Sequence, residues 1–117
     1  MPSELQKSMG EKLLVITNLP DTESATKLAK QIISERAAAC VNQLAPCTST
    51  YRWQDNIESA SEVPLLIKTT RSAYPRLEKL ISEVHPYELP EIIAVPLTAG
   101  LPEYLSWIDK ETIIIKE

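Results

Sequence analysis

His85 is the only histidine in the 117 residues, and it stands in the run VHPYELPE, between Val84 and Pro86. Imidazole suits both proton transfer near neutral pH and coordination of borderline metals. General acid–base work would need a second group poised beside His85, and the sequence shows no such arrangement. One imidazole per chain also falls short of a metal site by itself, because transition metals take several imidazole, thiolate or oxygen ligands. The competing reading is structural. Pro86 biases His85 away from helical dihedrals, so His85 ends a helix, with a ring nitrogen satisfied by a backbone carbonyl.

The other candidates for chemistry divide in the same way. Six residues separate Cys40 from Cys47, a spacing that matches no zinc or redox motif, and both thiols read as packing residues. Cys40 follows three alanines at a helix-to-strand junction, a place for a small buried side chain and not for an activated nucleophile. Lys68, Thr69 and Thr70 precede a helix, where a cation beside free N–H groups could hold an anion; an ion pair between Lys68 and Glu91 is the favoured reading. Tyr51, Trp53, Tyr87 and Trp107 could stack on a ligand, but aromatic residues in these settings are expected to pack at an interface. No enzymatic activity is expected.

The elements that position these residues are legible from periodicity. Residues 1–11 are polar and aperiodic and are expected to form a mobile tail, leaving 12–117 as one domain. Leu13 to Ile16 form an apolar run that reads as a strand buried on both faces. Asp21 or Thr22 can cap a helix whose stripe is Ala25, Leu28, Ala29, Ile32 and Ile33. Residues 40–53 and 60–71 read as a long hairpin turning at 54–56, with Pro46 and Pro64 marking bulges or edges. Ser72 can cap a second helix, with Ala73, Leu77, Leu80, Ile81 and Val84 on one face. A strand follows over Ile92 to Leu97, then a short helix opened by Gly100 and Pro102, and TIIIK reads as a last short strand.

The order strand, helix, strand, strand, helix, strand is that of an α+β ferredoxin-like βαββαβ sandwich with an added C-terminal helix and short strand. Two helices cover only one face of such a sheet, yet the hairpin carries Tyr51, Trp53, Leu65, Leu66 and Ile67 on alternating sides. A closed homo-oligomer joined edge to edge is therefore expected. Nine prolines against two glycines imply stiff connections. The net charge of -4, without a Lys/Arg cluster, argues against nucleic acid. Neither a secretory signal nor a membrane span is apparent, so a cytoplasmic location is expected.

The runs AAAC, YRW, LIKTT, HPYELPE and YLSWI, in this order between about Leu13 and Thr112, resemble the CutA family of divalent-cation tolerance proteins. The resemblance implies a ferredoxin-like subunit, a tight homotrimer, and a link to copper or another divalent cation, without an established reaction. The motif positions are Cys40, Tyr51, Trp53, Lys68, Thr69, His85, Pro86, Tyr87, Pro90, Glu91 and Trp107; of these, His85, Cys40 and Glu91 are the implied metal candidates. Metal binding in the family is attributed to a first-strand cysteine and to histidines before the Pro-Tyr pair. Here those places hold Thr17 and Val84, so only His85 remains, and three copies of it, or His85 with Glu88 or Glu91, would have to meet at a subunit boundary. The alternative is a trimeric regulatory or scaffolding module whose intersubunit clefts take a small anion or a protein partner.

Overall fold

Alternation of apolar and polar residues in the first strand sets the architecture. The computed structural model describes residues 10–114. Strand β1 (Lys12–Leu19) buries Leu13, Val15, Thr17 and Leu19, while Leu14, Ile16 and Asn18 remain half-buried on the other face. The expected burial on both faces is thus corrected to burial on one. Next come α1 (Thr22–Ser34), β2 (Cys40–Gln43), β3 (Cys47–Trp53), β4 (Asn56–Thr70), α2 (Tyr74–Val84), β5 (Ile93–Leu97) and α3 (Pro102–Glu111).

All the pairings are antiparallel, in the order β2-β4-β1-β5, with β3 continuing along β4 beyond β2. This is the ferredoxin-like arrangement, mixed α+β. Helices α1 and α2 cover one face, where Leu28, Ile32, Leu77 and Ile81 pack with Val15, Leu65 and Ile67 in a single core cluster. Helix α3 lies over one end of the opposite face. There Ile108 is fully buried, Lys12 and Asp109 form an ion pair (Nζ–Oδ2 2.8 Å), and Thr70 is shielded from solvent. Arg36 and Arg76 hold the end of α3: the Arg76 guanidinium donates to the Thr112 carbonyl at 2.8 Å, and that of Arg36 to the Glu111 carbonyl at 3.3 Å.

Local chemistry explains where the elements start and stop. Asp21 caps α1 by accepting from the Ser24 N–H at 2.7 Å, and this bond, with that of the Ser24 side chain, holds the carboxyl below its ordinary pKa. Arg36 takes the left-handed conformation (φ 57°) that turns the chain out of α1. Ser72 does not cap α2. The helix is entered from Ala73 with no side-chain cap, and the Thr70 hydroxyl accepts from the Ala73 N–H at 3.1 Å in the turn before it. Ile33 and Val84, assigned to buried stripes, are exposed, because each helix buries a narrower face than its periodicity suggests.

Residues 40–53 form two strands and not one. The ladder breaks at Leu44 to Pro46, opposite Pro64, whose carbonyl accepts from the Leu44 N–H at 3.0 Å, so both prolines mark a bulge as expected. At the far end Gln54 and Asp55 make a two-residue turn, both with positive φ (49° and 67°), the geometry of tight hairpins. Strand β5 begins at Ile93, one residue later than read. Of the expected last strand, Thr112 caps α3 and residues 113–114 carry no strand, while 115–117 lie outside the described residues. Of the expected tail, 1–9 also lie outside them; Glu11 accepts from the Arg71 Nε at 2.7 Å and is tied to the sheet.

Thr17, the position at which the resemblance implies a cysteine, is fully buried among apolar neighbours, and its hydroxyl has no hydrogen-bond partner. An unpaired buried hydroxyl costs about 1–3 kcal/mol. Thr17→Val is therefore expected to stabilise the fold by about 1 kcal/mol, read as a higher denaturant midpoint at unchanged slope.

Candidate functional site

The β3–β4 hairpin, the end of β1 and the segment after α2 enclose a cleft of about 870 Å³ on the sheet face opposite α1 and α2. Strand alternation places its wall. Ser49, Tyr51 and Trp53 on β3 stand opposite Ala60, Glu58 and Asn56 on β4, all on the face that continues to Glu62. Residues 86–91 form the other wall, with Tyr87, Glu88 and Glu91. Among the described residues no Lys or Arg lines the cleft.

His85 is the strut that fixes this second wall. It terminates α2 in extended backbone (φ -68°, ψ 133°), as Pro86 requires. Its Nδ1 accepts from the Tyr87 N–H at 3.2 Å, so Nε2 carries the proton and donates to the Asn18 carbonyl at 2.7 Å. The ring is nine-tenths buried and stacks at a tilt on Tyr87, with centroids 4.7 Å apart. Both ring nitrogens are thus occupied. Asn18 serves both walls, because its Nδ2 also donates to the Glu91 Oε1 at 3.0 Å.

Glu62 is the residue that sequence reasoning missed. It lines the cleft although the residue is nine-tenths buried, at the last position of β4 that pairs with β3. Burial pushes the Tyr87 phenol up to about 12, helped by the adjoining Glu62 carboxylate and by the nearby charges of Tyr51 and Asp21. The only available signal was parity: Glu62 shares the face of Pro64, Leu66 and Lys68 and pairs with Cys47.

The other sequence candidates fall outside the cleft. Lys68 makes no ion pair with Glu91. Its Nζ donates to the Asn42 Oδ1 at 2.9 Å and lies 6.0 Å from the centre of the Tyr104 ring. Trp107 belongs to α3, tilted against Tyr104 at 5.5 Å. Cys40 is half-buried at the sheet edge, and Cys47, expected to pack, is exposed on the hairpin.

These elements define a ferredoxin-like α+β fold with an anionic, aromatic-walled cleft beside a projecting hairpin. Residues 13–111 match the family described as CutA1 divalent ion tolerance protein, and the chain belongs to that family. It is 43% identical over 102 residues to the divalent-cation tolerance protein CutA of Thermus thermophilus, covering 87% of this chain and 98% of that one. It is 42% identical to mouse Protein CutA, of whose length it spans 58%. The crystal structure of CutA from Xylella fastidiosa superposes with a TM-score of 0.85 at 44% identity, over 87% of this chain and 98% of that one.

The donor set does not fit a thiolate–imidazole centre within one chain. Thr17 offers only a buried hydroxyl, Val84 offers no donor, and both His85 nitrogens are engaged. Cys40 pairs with Lys68 and, through it, lies level with Leu14, four residues along β1 from the His85 partner Asn18, about 13 Å away. Among the described residues no three His, Cys, Asp or Glu side chains converge on one point.

Loss of both ring hydrogen bonds in His85→Ala is expected to cost about 2–3 kcal/mol, measured by denaturant unfolding. The Tyr87 phenol is protonated more firmly in the folded chain than in the unfolded one. Its contribution is complete below pH about 10 and is lost as pH rises towards about 12. Tyr87→Phe is expected to lose less stability than the parent between those values.

Proposed function

We propose that the protein is a homotrimer that binds a divalent cation at its subunit boundaries and catalyses no reaction. The observation that carries this is the cleft itself. The carboxylates of Glu62, Glu88 and Glu91 face a space with no Lys or Arg on its lining, beside a hairpin that its own chain leaves uncovered. Membership of a family named for divalent-ion tolerance supports a cation as the ligand.

The hairpin supports assembly. Tyr51, Trp53 and Ile57 are exposed on it, and Leu14, Ile16 and Leu66 are only half-buried beside the exposed Ile93 and Val95. An open apolar sheet face and free strand edges of this kind are what a neighbouring copy would cover in a closed symmetric assembly. Three is the number that the family resemblance implies. Because the carboxylates of one chain do not converge, a neighbouring subunit would complete the coordination, and oxygen donors favour Cu(II), Zn(II) or harder ions over Cu(I). A cytoplasmic, reducing location would keep the exposed Cys47 a thiol.

An anion in the cleft, one form of the rival reading, meets no cationic side chain on the lining among the described residues. Sedimentation at micromolar concentration is expected to give three times the 13.1 kDa chain mass. Titration with Cu(II) and Zn(II) is expected to give a saturable isotherm weakened about tenfold or more by Glu91→Gln. A 13.1 kDa particle, or isotherms indifferent to Glu91, would contradict the proposal.

A further inference from the structure

We infer that the cleft takes an organic polycation, an aliphatic diamine or polyamine, as a ligand. This rests on reading the cleft as a cation site, but it concerns the shape of the cation and not only its sign. Three features of the cleft in one chain suit an extended ammonium compound, beside any metal ion whose coordination a neighbouring copy completes.

The charges are spaced. Glu62 stands on β4, and Glu88 and Glu91 lie on the opposite wall, yet among the described residues no three acidic or metal-ligating groups meet at one point. A metal ion needs its ligands within about 2–2.6 Å of a single centre. Ammonium groups separated by methylene spacers need separated carboxylates.

The deepest of these carboxylates lacks a countercharge. Glu62 is only 9% exposed and lines the cleft, but among the described residues no Lys, Arg or His pairs with it; its neighbour is the neutral Tyr87 hydroxyl. Burying a carboxylate without a cation is costly, so the site is built to receive one. An ammonium head, with its N–H donors, would serve the lone pairs that Tyr87 leaves free.

The remaining wall is aromatic. Tyr51 and Trp53 project from the same face of β3, two residues apart, and both line the cleft. Ring faces attract organic ammonium groups and cover methylene chains, whereas a hydrated metal ion gains little from either. The volume of about 870 Å³ is in the range of organic-ligand sites. One ammonium therefore pairs with Glu62, the chain lies along Tyr51 and Trp53, and a second ammonium reaches Glu88 or Glu91.

The test is calorimetric titration of the intact, assembled protein with spermidine and with putrescine, each set beside Zn(II), with the emission of Trp53 followed in a Trp107→Phe background. Saturable spermidine binding is expected, with a change in Trp53 emission. Affinity should fall at least tenfold in Glu62→Gln and at least threefold in Trp53→Ala. Should either substitution disturb assembly, the double variant Glu88→Gln, Glu91→Gln on the exposed segment after α2 carries the test, with affinity again falling at least threefold. No saturable heat with either amine at millimolar concentration would overturn the inference, as would binding indifferent to both substitutions, which would mark surface charge alone. Zn(II) binding without amine binding overturns this inference and leaves the metal assignment standing. Amine binding without Zn(II) binding upholds it and removes the metal assignment.

Discussion

Strand β4 does two things with one backbone, and the rest of the structure depends on that. Its 15 residues exceed any partner in length. From Val63 to Thr70 it pairs with β1, and within that stretch also with β2, under α1 and α2; from Asn56 to Glu62 it pairs only with β3, beyond the helices. The core half is anchored by Val63, Leu65 and Ile67, which are essentially inaccessible to water. The outer half has no such anchor, and a two-stranded ribbon is marginal alone in water. Its rigidity must come from the stem that it continues and from whatever covers it.

The cleft exists because this overhang faces the segment after α2. His85 sets the spacing between the two walls. Its ring joins the Asn18 carbonyl to the Tyr87 N–H, and Asn18 in turn holds Glu91. A residue that looks like a catalytic or ligating group in the sequence acts here as a brace, and the groups it positions are carboxylates and a phenol. The same brace keeps Tyr87 against Glu62, where burial and the carboxylate hold its proton. Charge, shape and stability of the cleft are thus coupled through one imidazole.

Much of the fold was legible in the residues. The cap at Asp21, the stop at His85, the bulge opposite Pro64 and the ferredoxin-like order all follow from local chemistry: a side-chain acceptor, a proline after the helix, a missing donor, and the alternation of periods. The errors also have local causes. Periodicity could not show that Val84 and Ile33 lie past the edge of the buried face, nor that α2 would open from Ala73 without a side-chain cap while the Thr70 hydroxyl takes the Ala73 N–H. The site was legible only in part. Tyr51, Trp53, Tyr87 and Glu91 were singled out and do meet at the cleft, whereas Lys68, Trp107 and Cys40 were singled out and do not. Glu62 escaped because nothing local marks a glutamate in a strand as buried; only the register with Cys47 and the overhang of β4 put it on the cleft wall.

The proposed assembly rests on the outer half of β4 being covered by a neighbouring copy, and amide hydrogen exchange on the intact protein probes this most directly. The amides of Tyr51, Arg52, Ile57 and Glu58 should be protected nearly as well as those of Val15 and Ile67, because opening the hairpin would require subunits to separate. Exchange of those four amides orders of magnitude faster than the core, at concentrations where the protein is fully folded, would show a free hairpin with no neighbour upon it, and would contradict the shared-cleft reading.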